Sequence, residues 1–199
     1  WAVESGGTGL FVSWYAAAMC GRGRSAEALD VLDRLKPSTE GLTAVARAYL
    51  FLDRDLPEEA EGLCREVVSR SGYAQVLAGA ILLLAGNGER AAGACVRLLD
   101  ALPAQHPERR TLHYLLGRCS PEELVAAAGA SRTKLCDAHY YIALSCLAKG
   151  DRDAARHHFS RSVETGIHYL PGFQWSRAFL ARLQQDPRWP SWIPRKVDQ

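Results

Sequence analysis

Cys136 and His139 stand three residues apart in a segment of helical pattern, and His157 and His158 follow in the next such segment. Thiolates and imidazoles are zinc ligands, and a spacing of three on a helix puts two of them on one face. A structural zinc site takes four such ligands, usually as two close pairs. Here only one close pair exists, because adjacent residues on a helix diverge by about 100°, so His157 and His158 point apart. No metal is expected, and Cys136 and His139 are assigned to the core of a helix pair or its rim.

Other chemistry finds no better footing. The chain holds no G-x-S-x-G elbow, no H-E-x-x-H pair and no phosphate-binding G-x-x-x-x-G-K-[ST] loop. Glu58, Glu59 and Glu61 gather where a helix is expected to start, and the helix dipole favours acids there without any catalytic purpose. The glycines of "GGTG" at Gly6 to Gly9 and "GRG" at Gly21 to Gly23 follow no strand, as a dinucleotide-binding turn would require. The first stretch is read as a flexible leader and the second as a turn. No catalytic residue and no cofactor is expected.

Three tryptophans, Trp175, Trp189 and Trp192, crowd the C-terminal end, the last two in the proline-rich tail "DPRWPSWIPRKVDQ". Such side chains serve as binding hot spots, and they serve equally to cover exposed apolar surface. The tail (186–199) is expected to be extended and to fold back over the last helix, with contact to a partner as the second use. Arg177, Arg182, Arg188, Arg195 and Lys196 would rim it.

The elements that position these residues are helices in a repeating order. Val12 to Leu35, Ala44 to Val67, Gln75 to Pro103 and His139 to Ser162 each read as an apolar helix, a short turn and a second helix. In all four, a small residue of the first helix precedes an alanine of the second by twelve: Ala16 and Ala28, Ala48 and Ala60, Gly79 and Ala91, Ala143 and Ala155. Antiparallel helices cross closely only where neither contact point carries bulk. Gly23, Gly86 and Gly150 fall seven residues after the first small residue, where a helix must end in a left-handed residue, and Asp55 holds that place in the second repeat. Pro37 and Pro103 are placed to close second helices.

This pattern resembles the tetratricopeptide repeat (TPR), whose units are helix–turn–helix. The resemblance implies an all-α, right-handed solenoid of about five units. It departs from the family at the tryptophan and leucine usual early in the first helix, where Val12 and Tyr15, Ala44 and Arg47, Gln75 and Ala78, and His139 and Ile142 stand instead. Successive alanines are offset by 32, 31 and 64 residues, so one degenerate unit is expected at 106–130. In it, a helix from about His106 to Cys119 precedes a short one with Ser120 as N-cap, Pro121 in the first turn and Glu123 completing a capping box, ending at Gly129. The chain is thus read as one domain: repeats at 8–166, a capping helix at 171–185 and the tail.

The resemblance also implies which side chains line the concave face. They are Ser13, Ala17 and Cys20; Val45, Tyr49 and Leu52; Val76, Ala80 and Leu83; and Tyr140, Leu144 and Leu147. The lysines and asparagines with which chaperone-binding members clamp a peptide carboxylate are missing from these positions. Val45, Tyr49, Leu52, Val76, Leu83, Tyr140 and Leu144 are expected to hold a hydrophobic or helical partner segment, with Tyr49 and Tyr140 as anchors. The alternative use of the same residues is packing onto neighbouring repeats or the rest of the polypeptide.

Bulk properties narrow the remaining classes. A net charge of +2 over 199 residues lacks the basic field of a nucleic-acid binder, although residues 100–199 carry 14 basic against 10 acidic side chains. The longest apolar stretch, Ala74 to Ala85, is too short for a membrane span of about 20 residues. The six cysteines form no CxxC and read as thiols of a reducing, cytoplasmic compartment. Because the chain starts at Trp1 without methionine, it is read as part of a longer protein. The expected function is a protein-interaction scaffold without enzymatic activity. The alternatives are a regulatory domain of a larger signalling enzyme and self-association through an exposed apolar end.

Overall fold

The computed structural model describes residues 3–34, 41–67 and 72–196, and Pro37 lies outside them. Those residues form eleven α-helices and no strand. They are α1 (Val3–Cys20), α2 (Ser25–Arg34), α3 (Gly41–Asp53), α4 (Pro57–Val67), α5 (Gly72–Leu84), α6 (Gly88–Ala101), α7 (Glu108–Leu115), α8 (Pro121–Ala128), α9 (Arg132–Ala148), α10 (Arg152–Glu164) and α11 (Pro171–Gln185). The chain is all-α, as its sequence pattern requires. Among the described residues, no helix is long and apolar enough to cross a membrane.

The helices pack in consecutive pairs, α1 with α2, α3 with α4, α5 with α6 and α9 with α10. The small residues of the pattern lie buried within these pairs. Ala16, Ala28, Ala48, Ala60, Ala143 and Ala155 have 0% exposure, and a Cβ on Gly79 would lie 3.1 Å from Cys95 Sγ. Every first helix of these pairs ends the same way. Gly23, Asp55, Gly86 and Gly150 take φ of 70°, 59°, 88° and 75°. The next residue's N–H then reaches back to the carbonyl five residues earlier, as in Arg24 to Met19, Leu56 to Phe51, Asn87 to Leu82 and Asp151 to Cys146. This double closure satisfies carbonyls that the helical ladder leaves over. Asp55 manages it without being glycine because a short polar side chain tolerates the left-handed region.

Two expectations need correction. The "GGTG" glycines are not a leader, because they lie inside α1. The reason is proximity: a Cβ on Gly9 would come within 3.2 Å of Leu42 Cβ, so α1 approaches α3 there closely. The helix foreseen from His106 to Cys119 is also shorter, running only Glu108–Leu115, and Gly117 turns the chain at φ 69°. Its partner α8 starts as the sequence indicates: Ser120 Oγ accepts from Glu123 N at 3.2 Å, and Ser120 N donates to the Glu123 carboxylate at 2.7 Å.

The first helices also touch one another in order, α1 on α3, α3 on α5 and α5 on α9, passing over α7. Helix α11 packs on α9 and α10 and then returns to α1. It therefore closes the row into a circuit around the core, instead of capping one end.

Candidate interaction face

The residues assigned to a partner-binding face all come together, but inside the molecule. Val45, Tyr49, Leu52, Val76, Tyr140 and Leu144 are at most 1% exposed, and Leu83 is partly buried against the same core. Side chains of α11 cover Tyr49 among them. Trp175, Phe179 and Leu183 recur every four residues, which aligns them on one face of the helix, and all three are fully buried. Tyr49 stands at the centre, with ring centroids 4.6 Å from Trp175 and 5.4 Å from Phe179. The Tyr140 hydroxyl donates to that of Tyr49, so the two intended anchors hold each other. Trp175 Nε1 donates to Ser13 Oγ at 3.1 Å, tying α11 to α1.

The tail behaves differently from its expected extended course. Residues 186–196 turn back across the ends of the inner helices. A buried indole needs an acceptor for its N–H, and the last turns of helices have carbonyl capacity to spare. Trp189 Nε1 donates to Leu52 O at the end of α3 (3.2 Å), and Trp192 Nε1 to Leu84 O at the end of α5 (2.9 Å). Arg152 is 7% exposed, and its guanidinium donates to the carbonyls of Arg188, Trp189, Pro190 and Ile193, gathering the turn at the start of α10. Lys196 N donates to Gly150 O, and a Cβ on Gly150 would overlap the carbonyl oxygen of Pro194. Glycine is therefore required at 150 twice over, by its positive φ and by the passing tail. The tail thus closes the ends of α3, α5 and α9 and does not cover its neighbouring helix alone.

A polar contact completes the seal. Ser25 Oγ donates to Asp53 Oδ2 at 2.6 Å, and Arg182 Nε of α11 lies 3.1 Å from Asp53 Oδ1 without the alignment of a hydrogen bond. Burial outweighs the nearby hydroxyl and guanidinium and pushes the Asp53 carboxyl above its usual range. Arg182 also lies 5.7 Å from the Trp189 ring centroid, joining helix and tail.

Scans against protein-family models match none, and no curated protein is significantly similar to this sequence.

The residues weighed above as metal ligands pair with neighbours between α9 and α10. Cys136 Sγ lies 3.3 Å from Ser162 Oγ, which donates to Cys136 O at 3.0 Å. His139 Nδ1 faces His158 Nδ1 at 3.0 Å, and burial, followed by the neighbouring His158, pushes His139 down to about 4. The pair shares a hydrogen bond between neutral rings, while His157 points outward. Of the three tryptophans offered as a secondary contact, Trp175 and Trp189 are fully buried and Trp192 partly so. The outward aromatics are elsewhere: Phe11 and Tyr169, 66% and 57% exposed, flank Trp14, whose indole donates to Tyr169 O. What the sequence reading missed is that α11 belongs to the inner face. The signal was present in Trp175, Phe179 and Leu183, a stripe too aromatic for a helix that merely caps an end.

Proposed function

We propose that this chain is a protein-interaction module of TPR-like units, stacked as a right-handed solenoid, whose inner face recognises an amphipathic helix. Its own residues 171–196 occupy that face in cis. The carrying observation is the seating of Trp175 and Phe179 on Tyr49, with the Trp189 and Trp192 indoles on the ends of α3 and α5. An apolar face that accepts a helix at every-fourth-residue anchors is the helix-in-groove mode of recognition. The same occupancy favours intramolecular regulation within a larger protein, because any external helix must compete with the resident one. That competition is steep. Burying each of the large side chains of α11 contributes on the order of 1.5–3 kcal/mol, so the resident segment is a tightly held ligand.

The test uses a fluorescent peptide spanning 171–196 and the full chain. The wild type should bind it negligibly. A chain with Trp189→Ala and Trp192→Ala, which loosens the resident tail, should capture it with circular dichroism unchanged. Failure of that variant to bind peptide while remaining helical would remove the inner face as a recognition surface.

A further inference from the structure

The seated tail and the start of α10 enclose a cavity of about 130 Å³, apart from the inner face. Its charged lining is Asp151, Arg152, Asp153 and Arg156 from the α10 side and Arg195 and Lys196 from the tail. Four cations therefore meet two acids, and both acids are already paired. Lys196 Nζ lies 2.9 Å from Asp151 Oδ2, and Arg156 Nη1 2.6 Å from Asp153 Oδ1. Arg152 and Arg195 remain, and among the described residues no carboxylate pairs with either. Asp186, whose charge also reaches Arg152, lies against Arg182 and Arg188, at 3.7 and 3.9 Å.

Arg152 supplies an independent sign. It is 7% exposed, and its Nε and Nη2 are engaged by carbonyls of the tail. Nη1 donates only to Gly150 O, at 3.2 Å, so one of its two N–H groups has no acceptor. Carbonyls satisfy donors but do not neutralise a charge, and a guanidinium withdrawn from water without a counter-ion is costly. The exposed Arg195 beside it adds repulsion. A buried cation with a donor left over, in a cavity that gathers further cations, is completed by an anion. The first turn of α10 is not the reason, since Asp151 already accepts from Ala154 N there.

We infer that this cavity binds a phosphate group and that the bound phosphate fastens the tail. Guanidiniums match phosphate oxygens with paired donors. A phosphate monoester carries about −1.5 to −2 charges near neutral pH, enough for both unpaired cations, where a carboxylate serves one. The two sides of the cavity come together only while the tail is seated. A ligand that binds this closed arrangement favours it by linkage. Phosphate then opposes entry of an external helix at the inner face, a consequence that rests on the recognition proposed above; the binding itself does not.

The probe is inorganic phosphate slightly above neutral pH, titrated into the full chain and followed by the Gly150 amide resonance. Sodium chloride at equal ionic strength is the reference. Phosphate should shift the resonance saturably and chloride should not. Arg195→Gln, a change at an exposed side chain, should weaken binding roughly tenfold, the size expected for one charge-assisted hydrogen bond, and Arg195→Lys should recover part of it. The pair Trp189→Ala and Trp192→Ala alters nothing that lines the cavity but loosens the tail, and should weaken binding as well. Blocked phosphoserine separates the sources: tighter binding than inorganic phosphate assigns the site to a phosphorylated protein, weaker binding to the free ion. Equal shifts with chloride, no saturation at millimolar phosphate, or unchanged binding in Arg195→Gln would overturn the site. Unchanged binding in the tryptophan pair would overturn the fastening. Phosphate binding is measured without any peptide, so it stands or falls separately from the recognition of a helix.

Discussion

The pair α9–α10 and the pair α7–α8 are neighbours in the chain and are built on different principles. In α9–α10, Ala143 and Ala155 are fully buried, and Tyr140 and Phe159 fill the flanks with their ring centroids 6.3 Å apart. In α7–α8, the positions that keep the repeat's count, 32 residues after Gly79 and twelve further on, are Thr111 and Glu123. Each helix is only eight residues long, both lean on α9, and α5 reaches past α7 to pack on α9 directly. The difference teaches what the small residues do. Where they are present, they are buried, and the polar groups between the helices pair with each other, as His139 does with His158. Where they are absent, a cleft remains, lined among others by Glu108 and Asp137.

The largest effect expected on the tight side is loss of the seal. Trp189→Ala should destabilise the chain by about 3–5 kcal/mol, the usual range for removing a buried large aromatic. The check is a urea denaturation curve. A loss below about 1 kcal/mol would mean that the tail rests on the helix ends without holding them.

Next comes bulk at a crossing. Ala155→Leu should cost about 1–3 kcal/mol or more through overpacking. The same change at the exposed Ala127 of α8 should stay within about 0.5 kcal/mol. Equal melting shifts for the two variants would erase the distinction between the pairs.

Smaller still, Ser120→Ala removes the capping box of α8 and should cost about 1 kcal/mol. Because α8 is a single short element, the loss should show first as faster amide exchange in 121–128, with α9 protected as before.

The last difference is one of pH. Unfolded, the Asp137 carboxyl returns to its ordinary 3.8, whereas in the folded chain it stands at about 7. The folded state therefore binds that proton more tightly, and stability from this group is lost as pH rises from about 4 to 7. His139 runs the other way, from 6.5 unfolded to about 4 folded, so its contribution is lost as pH falls through the same interval. The two oppose each other. Asp137→Asn should leave a stability that declines steadily on acidification below about 6.5, measured by urea midpoints across a pH series. A profile identical to the wild type would contradict the burial of Asp137.

Much of the helical frame was legible in the sequence because its determinants are local. The alanines twelve apart, the left-handed turn at 23, 55, 86 and 150, and the cap of α8 each depend on residues close in the chain. The inner residues Val45, Tyr49, Leu52, Val76, Tyr140 and Leu144 were likewise legible as inward-facing. What covers them was not, because Trp175 reaches Ser13 and Trp189 reaches Leu52 across more than a hundred residues. An indole declares that it needs a carbonyl, but not which one.

The account turns on residues 171–196 occupying the inner face, and indole hydrogen exchange tests this most directly. The Trp175 and Trp189 N–H groups, bonded to Ser13 Oγ and Leu52 O, should exchange only as slowly as global unfolding allows, with Trp192 close behind. Exchange of Trp175 and Trp189 at the rate of a free indole, in a chain that remains helical, would show the face to be open and the account wrong.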